Sequence, residues 1–354
     1  MKSEGAAPYN QIPATTTDAA SRVLRPATSV DVARAAGVSQ ATVSRVFAPD
    51  SRIAGPMREK VLAAAVALGY RPNAIARSLA SQRSGMIGIV MGNMRNPFYP
   101  QVLELFSDML RRTGRQVLLF IVRDGENVDD LLPELLQYQV DGVVIASANL
   151  SSGMARSCAA LGTPVVLFNR TSKDAEVASV CCENRVGGRM AAEVLAQAGH
   201  RRLTFLAGTA DTSTNAERLV GFAERCGELG LPPPLVEPGA YTHEAGFAVM
   251  ARAIRGGRPP DGVFCANDII ALGALDAARQ GGLVPGQTIS VLGFDDIAPA
   301  TWPNYRLTTI RQDTHAMVRH AVQVLTERAG ISAGPQAAIR VAPEIVWRDT
   351  VRRP

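Results

Sequence analysis

From Met86 onward the chain alternates short apolar runs with stretches of helical periodicity, and this alternation narrows the possible folds more than any other feature. M-I-G-I-V-M, Q-V-L-L-F-I-V, D-G-V-V-I-A and P-V-V-L-F-N are β-branched and apolar at nearly every position. Helical stretches near Val102–Arg112 and Val128–Tyr138 separate them. Strands that are apolar on both faces belong in a parallel sheet covered by helices on both sides. A second series follows: L-T-F-L-A-G, G-V-F-C-A-N, I-S-V-L-G-F and L-T-T-I, with helices near Gly187–Ala198, Asn215–Leu229, His243–Ile254 and Ile269–Gln280. Two such series predict an α/β core of two doubly wound parallel-sheet lobes with a cleft between them.

The stretch from Thr28 to Ser81 has a different texture. Val30, Ala33 and Arg34–Ala36 fit a short amphipathic helix, Gly37–Val38 a turn, and Ser39 the N-cap of a second helix. Ala33, Gly37 and Val43 supply the small, turn and apolar residues that a helix-turn-helix needs. The second helix then exposes Gln40, Ala41, Ser44 and Arg45 opposite Val43 and Val46. A short polar face with one long cation on a compact scaffold suits the reading of base edges in a DNA major groove. Pro56 suits the first residue of a third helix, whose Val61, Leu62, Ala65, Val66 and Leu68 are expected to face the first two. Asn73 can cap a further helix, Ala74–Ala80, too short to be stable alone in water.

The charge distribution agrees with this division. The chain carries a net +5, and residues 1–84 hold 11 Lys and Arg against 5 Asp and Glu, so the whole positive excess sits there. Attraction to phosphates is the natural use of such a local excess. Residues 1–27, rich in Ala, Thr and Pro without periodicity, are expected to form a disordered extension.

Three runs carry a family likeness: D-V-A-R-A-A-G-V-S-Q-A-T-V-S-R-V, then R-E-K-V, then L-G-Y-R-P-N-A-I-A-R-S-L. In these residues the chain resembles the LacI/GalR family of bacterial transcription regulators, over nearly its whole length. The resemblance implies an all-α helix-turn-helix headpiece (28–72), a hinge helix and linker (73–84), and a periplasmic-binding-protein-like core (85–354). In that core the chain crosses between lobes three times, giving an N-lobe of about 85–182 and 312–338 and a C-lobe of about 183–311 and 339–354. DNA contacts are implied for Thr28, Ser39, Gln40, Ala41, Thr42, Ser44, Arg45, Asn73 and Arg77. Leu79 stands where the family inserts an apolar wedge into the minor groove, the alternative being packing against the core. Ser29 is polar where the family often has an apolar residue, and Val30 is expected to supply that packing. A well-known member has Tyr-Gln where Gln40-Ala41 stand here. Gln40 can read adenine while Ala41 can touch only a thymine methyl, so a different operator is expected.

In open parallel sheets, ligands bind beyond the carboxyl ends of the strands. Asn96, Asn169, Thr214, Arg218, Asn267 and Asp295 fall at or just after such ends, and the resemblance places Asn169, Thr214, Arg218, Asn267, Asp295 and Gln312 around an effector cleft. Phe98 or Tyr99 could pack on the apolar face of a sugar ring, and the resemblance offers Tyr241 as a stacking wall. Asn96 serves equally as a helix N-cap, while Asp268 and Asp296 read as residues that cap helices or fix turns. Planar Asn, Asp and Arg groups suit hydroxyls and carboxylates, so the effector is expected to be a sugar or sugar acid. Arg170 adds a cation beside the cleft, either to favour an acidic sugar or to make a structural salt bridge.

Other chemistries find little support. Five cysteines, two of them adjacent, do not form a paired framework, and the four histidines are scattered away from them, so no metal or cofactor is expected. No nucleophile elbow or phosphate-binding loop appears, which speaks against an enzyme. No apolar run approaches a membrane span, and the first residues lack a signal-peptide core. A cytoplasmic, DNA-binding homodimer on a near-palindromic operator is the expectation, with no leucine heptads at the end to build a tetramer. The competing reading of the same core is a solute-binding protein.

Overall fold

The computed structural model describes residues 25–47, 53, 55–71, 83–123, 126–146, 151–171, 177–257, 259–327 and 338–353. The chain divides into two units, Met1–Arg77 and Ser78–Pro354.

In the first unit, helix α1 (Ser29–Ala36) begins at a reciprocal cap. Asp31 N–H donates to Thr28 Oγ1 at 3.3 Å, and Thr28 N–H donates to the Asp31 carboxylate at 3.0 Å. The Thr28 hydroxyl bond holds the Asp31 carboxyl below its ordinary value, with Arg25 and Arg34 adding to the effect. Gly37 ends the helix at φ +61°, a left-handed conformation that an L side chain resists. Ser39 then caps α2 (Gln40–Val46) by accepting from Thr42 N–H, and α3 (Gly55–Ala67) closes the unit. Val32, Ala33, Ala36, Val43, Val46, Val61 and Ala65 form its core.

Two sequence expectations fail in this unit. Val32 supplies the packing, and Val30 is 45% exposed. On α3 the buried stripe is Val61 and Ala65, four residues apart. Val66 lies one position further round the helix, and it and Leu68 are exposed at 82% and 42%.

The second unit holds two six-stranded sheets. The first sheet is parallel throughout, in the order β2 (Gln116–Val122), β1 (Met86–Gly92), β3 (Gly142–Ala146), β4 (Val165–Phe168), β5 (Ala178–Cys182), β11 (Ile339–Val341). Its residues alternate between two helical layers. Ile87, Ile89 and Met91 of β1 join the cluster containing α4 (Phe98–Arg112) and α11 (Thr314–Glu327). Val90 joins the cluster with α5 (Val128–Leu136) and α6 (Ser152–Ala160).

The second sheet runs β7 (Leu235–Glu237), β6 (Leu203–Leu206), β8 (Gly262–Cys265), β9 (Ser290–Asp295), β10 (Thr309–Arg311), β12 (Glu344–Val346), with only the last pair antiparallel. Helices α7 (Asn184–Gln197), α8 (Ser213–Glu228), α9 (His243–Arg255) and α10 (Asp268–Gln280) accompany it and pack as α7 on α8 and α9 on α10.

The chain passes between the sheets three times, at Glu183, at Gln312–Asp313 and at Ala342–Pro343. The last crossing corrects the expected lobe boundary. Strand β11 pairs with β5, so the first lobe extends to Val341 and only the segment from Glu344 returns to the second. Four strands showed no apolar run of their own in the sequence: β5, β7, β11 and β12. Among the described residues, no helix is long and apolar enough to cross a membrane.

Candidate functional site

The first unit presents α2 outward. Gln40, Ala41, Ser44 and Arg45 are exposed, opposite the buried Val43 and Val46, as the 3.6-residue period requires. Gln40 is steadied by a bond from its amide to Ser29 Oγ at 3.1 Å, and Ser39 Oγ lies 2.9 Å from Thr42 Oγ1. Thr28 and Ser39 thus spend their hydroxyls on the helix ends. Asn73, Arg77 and Leu79 lie outside the described residues.

In the second unit the carboxyl ends of the strands converge on one cleft. The first lobe contributes Asn93, Asn96, Phe98 and Tyr99 after β1, and Asn169 and Arg170 after β4. The second lobe contributes Thr214 and Arg218 of α8, Tyr241, Asn267 after β8 and Asp295 at the end of β9. Gln312, on a crossing segment, reaches Asp295, its amide donating to Oδ1 at 2.7 Å. All nine effector-site residues expected from the sequence therefore gather here. The cavity they enclose is only about 10 Å³, room for about one water molecule. Anything larger can enter only if the lobes part.

Arg218 is the anchor of the cleft. It is 2% exposed, its Nε donates to Asn184 Oδ1 at 2.9 Å, and its guanidinium lies 3.6 Å from the centroid of the Phe294 ring. Its Nη2 stands 3.5 Å from Asp295 Oδ1. Asp295 adopts φ +124°, a conformation costly for a residue with a Cβ and frequent at binding sites. Behind it, Asp268 is fully buried, accepting from Ile297 N–H at 2.9 Å and from Thr309 Oγ1. It fixes a turn, as read from the sequence, and so does Asp296, which pairs with Arg311 and Arg348 at 2.7 and 2.6 Å.

Burial raises both carboxyls of the Asp268–Asp295 pair. For Asp295 it outweighs the opposing pull of Arg218, and for Asp268 the charge of Asp295 adds to it. An unfolded aspartate loses its proton near pH 4, while the folded pair holds protons to about 6 for Asp295 and 7 for Asp268. Their protonation therefore favours the folded state most below pH 4, and that contribution is lost as pH rises through the folded values. We expect Asp295→Asn to flatten the fall in urea midpoint between pH 5 and 8 that the wild type shows.

The remaining residues divide between capping and facing the cleft. Asn96 accepts from Phe98 N–H at 3.2 Å and Asn267 from Ile270 N–H at 3.2 Å, so both cap helices while lining the cleft. Asn169 sits at φ +57°, and its Oδ1 is buried without a partner. Tyr241 Oη lies 3.0 Å from Thr212 Oγ1 and 3.2 Å from Thr214 Oγ1. Its ring occupies the space where a Cβ on Gly208 would stand, 2.3 Å away. Arg170, whose role the sequence left open, is 5% exposed and donates to the Asn169 carbonyl and to Thr214 Oγ1, with no carboxylate in ion-pair range among the described residues. Phe294 and Asn184, which cradle Arg218, carried no signal in the sequence.

The backbone bearing Arg218 is clamped by close helix packing. A Cβ on Gly188 would fall 2.1 Å from Arg218 O and 2.8 Å from Phe222 N, and one on Gly221 would fall 2.0 Å from Arg185 O. Gly188→Ala must push the two helices apart, at a cost of about 1–3 kcal/mol. Chemical denaturation should show this loss, and calorimetry a weaker effector affinity, because α8 carries Thr214 and Arg218 with it.

Comparison with known proteins bears on both units. Residues 28–73 match the family described as bacterial regulatory proteins, lacI family, and residues 192–351 match the periplasmic binding protein-like domain. The HTH-type transcriptional regulator MalR of Streptomyces coelicolor is 33% identical over 331 residues, covering 90% of this chain and 94% of its own. The HTH-type transcriptional repressor PurR of Haemophilus influenzae is 30% identical over 332 residues, covering 92% and 99%. Among solved structures, the lac repressor dimer bound to operator and the anti-inducer ONPF matches with a TM-score of 0.83 at 27% identity, covering 93% of this chain and all of that one.

Proposed function

Because the chain belongs to the lacI family of bacterial regulatory proteins and is a DNA-binding transcriptional regulator, we propose that it represses transcription as a cytoplasmic homodimer under the control of a sugar or sugar acid. Two copies of α2 enter successive major grooves of a near-palindromic operator, presenting Gln40, Ala41, Ser44 and Arg45 to base edges. Residues 73–84 form the hinge segment, with Asn73, Arg77 and Leu79 as its DNA contacts. The effector enters between the lobes of the core, held by Arg218, Asp295 and Gln312 with Asn169 and Thr214. Its influence on DNA equals its difference in affinity for the two lobe arrangements and no more.

The observation that carries this reading is the capped α2, its polar face exposed opposite buried valines, in the stretch that holds the chain's entire positive excess. The test is a gel shift on the promoter upstream of the protein's own gene, with and without a sugar panel. A sequence-selective shift that weakens with salt and responds to one compound is expected. No selective shift under any condition would falsify the proposal.

A further inference from the structure

Two guanidiniums face the cleft, and their partners do not balance them. Arg170 is bonded only to a backbone carbonyl and a hydroxyl, and its buried Nε has no partner. Arg218 leaves Nη2 without a hydrogen bond, 3.5 Å from Asp295. Asp295 is already engaged by the Gln312 amide, and Asp268 by Thr309 and Ile297. The two carboxyls also repel one another, so between them they carry less than two negative charges. A buried cation held only by neutral groups, as Arg170 is, is costly, and a ligand bringing negative charge relieves that cost. Two acceptors are unpartnered as well: Asn169 Oδ1, just after β4, and Gln312 Oε1, on the crossing segment beside Asp295. Arg170, Arg218, Asn169 and Gln312 are all at most 5% exposed, and the first three line the cleft.

We infer that the cleft recognises an anionic polyhydroxy compound of the sugar-acid class, its carboxylate taken by Arg170 Nε and Arg218 Nη2 and its hydroxyls by Asn169 and Gln312. This deepens the proposed function and rests on the cleft being the effector site. Arg170 is the residue that separates acid from neutral sugar. A carboxylate fits better than a phosphate, because a dianion would add a second negative charge beside Asp295. Arg170 stands on the first lobe and bonds Thr214 of the second, so a carboxylate taking its donors acts directly on the contact between lobes.

The experiment is calorimetric titration of the full chain with glucose, galactose and mannose, each beside its aldonate, its uronate and its 6-phosphate. One acid is expected to bind about 10- to 100-fold more tightly than its neutral parent, the difference a charge-assisted bond makes. Arg170→Gln should erase that preference and Arg170→Lys keep part of it. The preference of the wild type is itself a readout that needs no variant. Equal binding of neutral sugars, tighter binding of a 6-phosphate, binding by no acid, or an unchanged preference in Arg170→Gln each overturns the inference. A gel shift in parallel separates the two readings. Operator release by a neutral sugar alone leaves the repressor intact and removes the acid, while acid binding without any DNA shift does the opposite.

Discussion

Replacing Arg218 with alanine will cost the core about 3–5 kcal/mol and leave it deaf to its effector, because one side of a buried charge pair is lost. The side chain holds Asn184 through Nε, stands against Asp295, and covers the Phe294 ring. Its removal strands Asn184 Oδ1 and leaves Asp295 with only the Gln312 amide and the distant charge of Arg170. Asp295 meets that loss by staying protonated to higher pH, so the damage should shrink in acid. Urea unfolding at pH 5 and pH 8 measures both the loss and this asymmetry. A variant as stable as the wild type at pH 8 would mean that the Arg218–Asp295 pair contributes nothing to the fold. The double variant Arg218→Met/Asp295→Leu should recover much of the stability but none of the effector response, because apolar replacements of a buried pair are often neutral.

Arg45→Ala is expected to act only on DNA. A side chain that reads a base edge is worth about 1–3 kcal/mol at each half-site. In the proposed dimer both half-sites lose it, about 2–6 kcal/mol together, a drop in operator affinity of about 30-fold to 10⁴-fold. Fluorescence anisotropy on the operator and on a scrambled duplex distinguishes two roles. Loss of discrimination between them marks a base contact, and an equal fall on both marks a phosphate contact with a shallower salt slope. Effector affinity should not change. Gln40→Ala should cost less, since Gln40 already shares its amide with Ser29 in the free protein.

How much of this was legible in the sequence follows from what each element depends on. Strands β1–β4 showed as continuous apolar runs, because a strand covered on both faces must be apolar at every position. Strands β7, β11 and β12 are three residues each, too short to set a period, and β5 reads A-S-V-C-C. Missing β11 moved the lobe boundary, since nothing in I-R-V says which sheet it will join. Most cleft residues showed through position, at strand ends, where the chain is free to carry polar groups, while Tyr241 and Gln312 rested on the family resemblance alone. The support behind the cleft did not show: Asn184, Phe294, Gly208 and Gly188 act through neighbours far along the chain, and each is an ordinary residue in its own segment. Val66 and Leu68 were misread for the opposite reason, since apolar character alone does not say on which side of a helix a residue falls.

The passages between the sheets are one or two residues long, at Glu183, Gln312–Asp313 and Ala342–Pro343. Each residue spans at most about 3.6 Å, so these tethers forbid translation of one sheet away from the other and leave rotation about a shared axle. Gln312 lies on that axle and grips Asp295 directly. A molecule that competes for Asp295 therefore pulls on the pivot itself, and a small change in torsion there is magnified with distance from it.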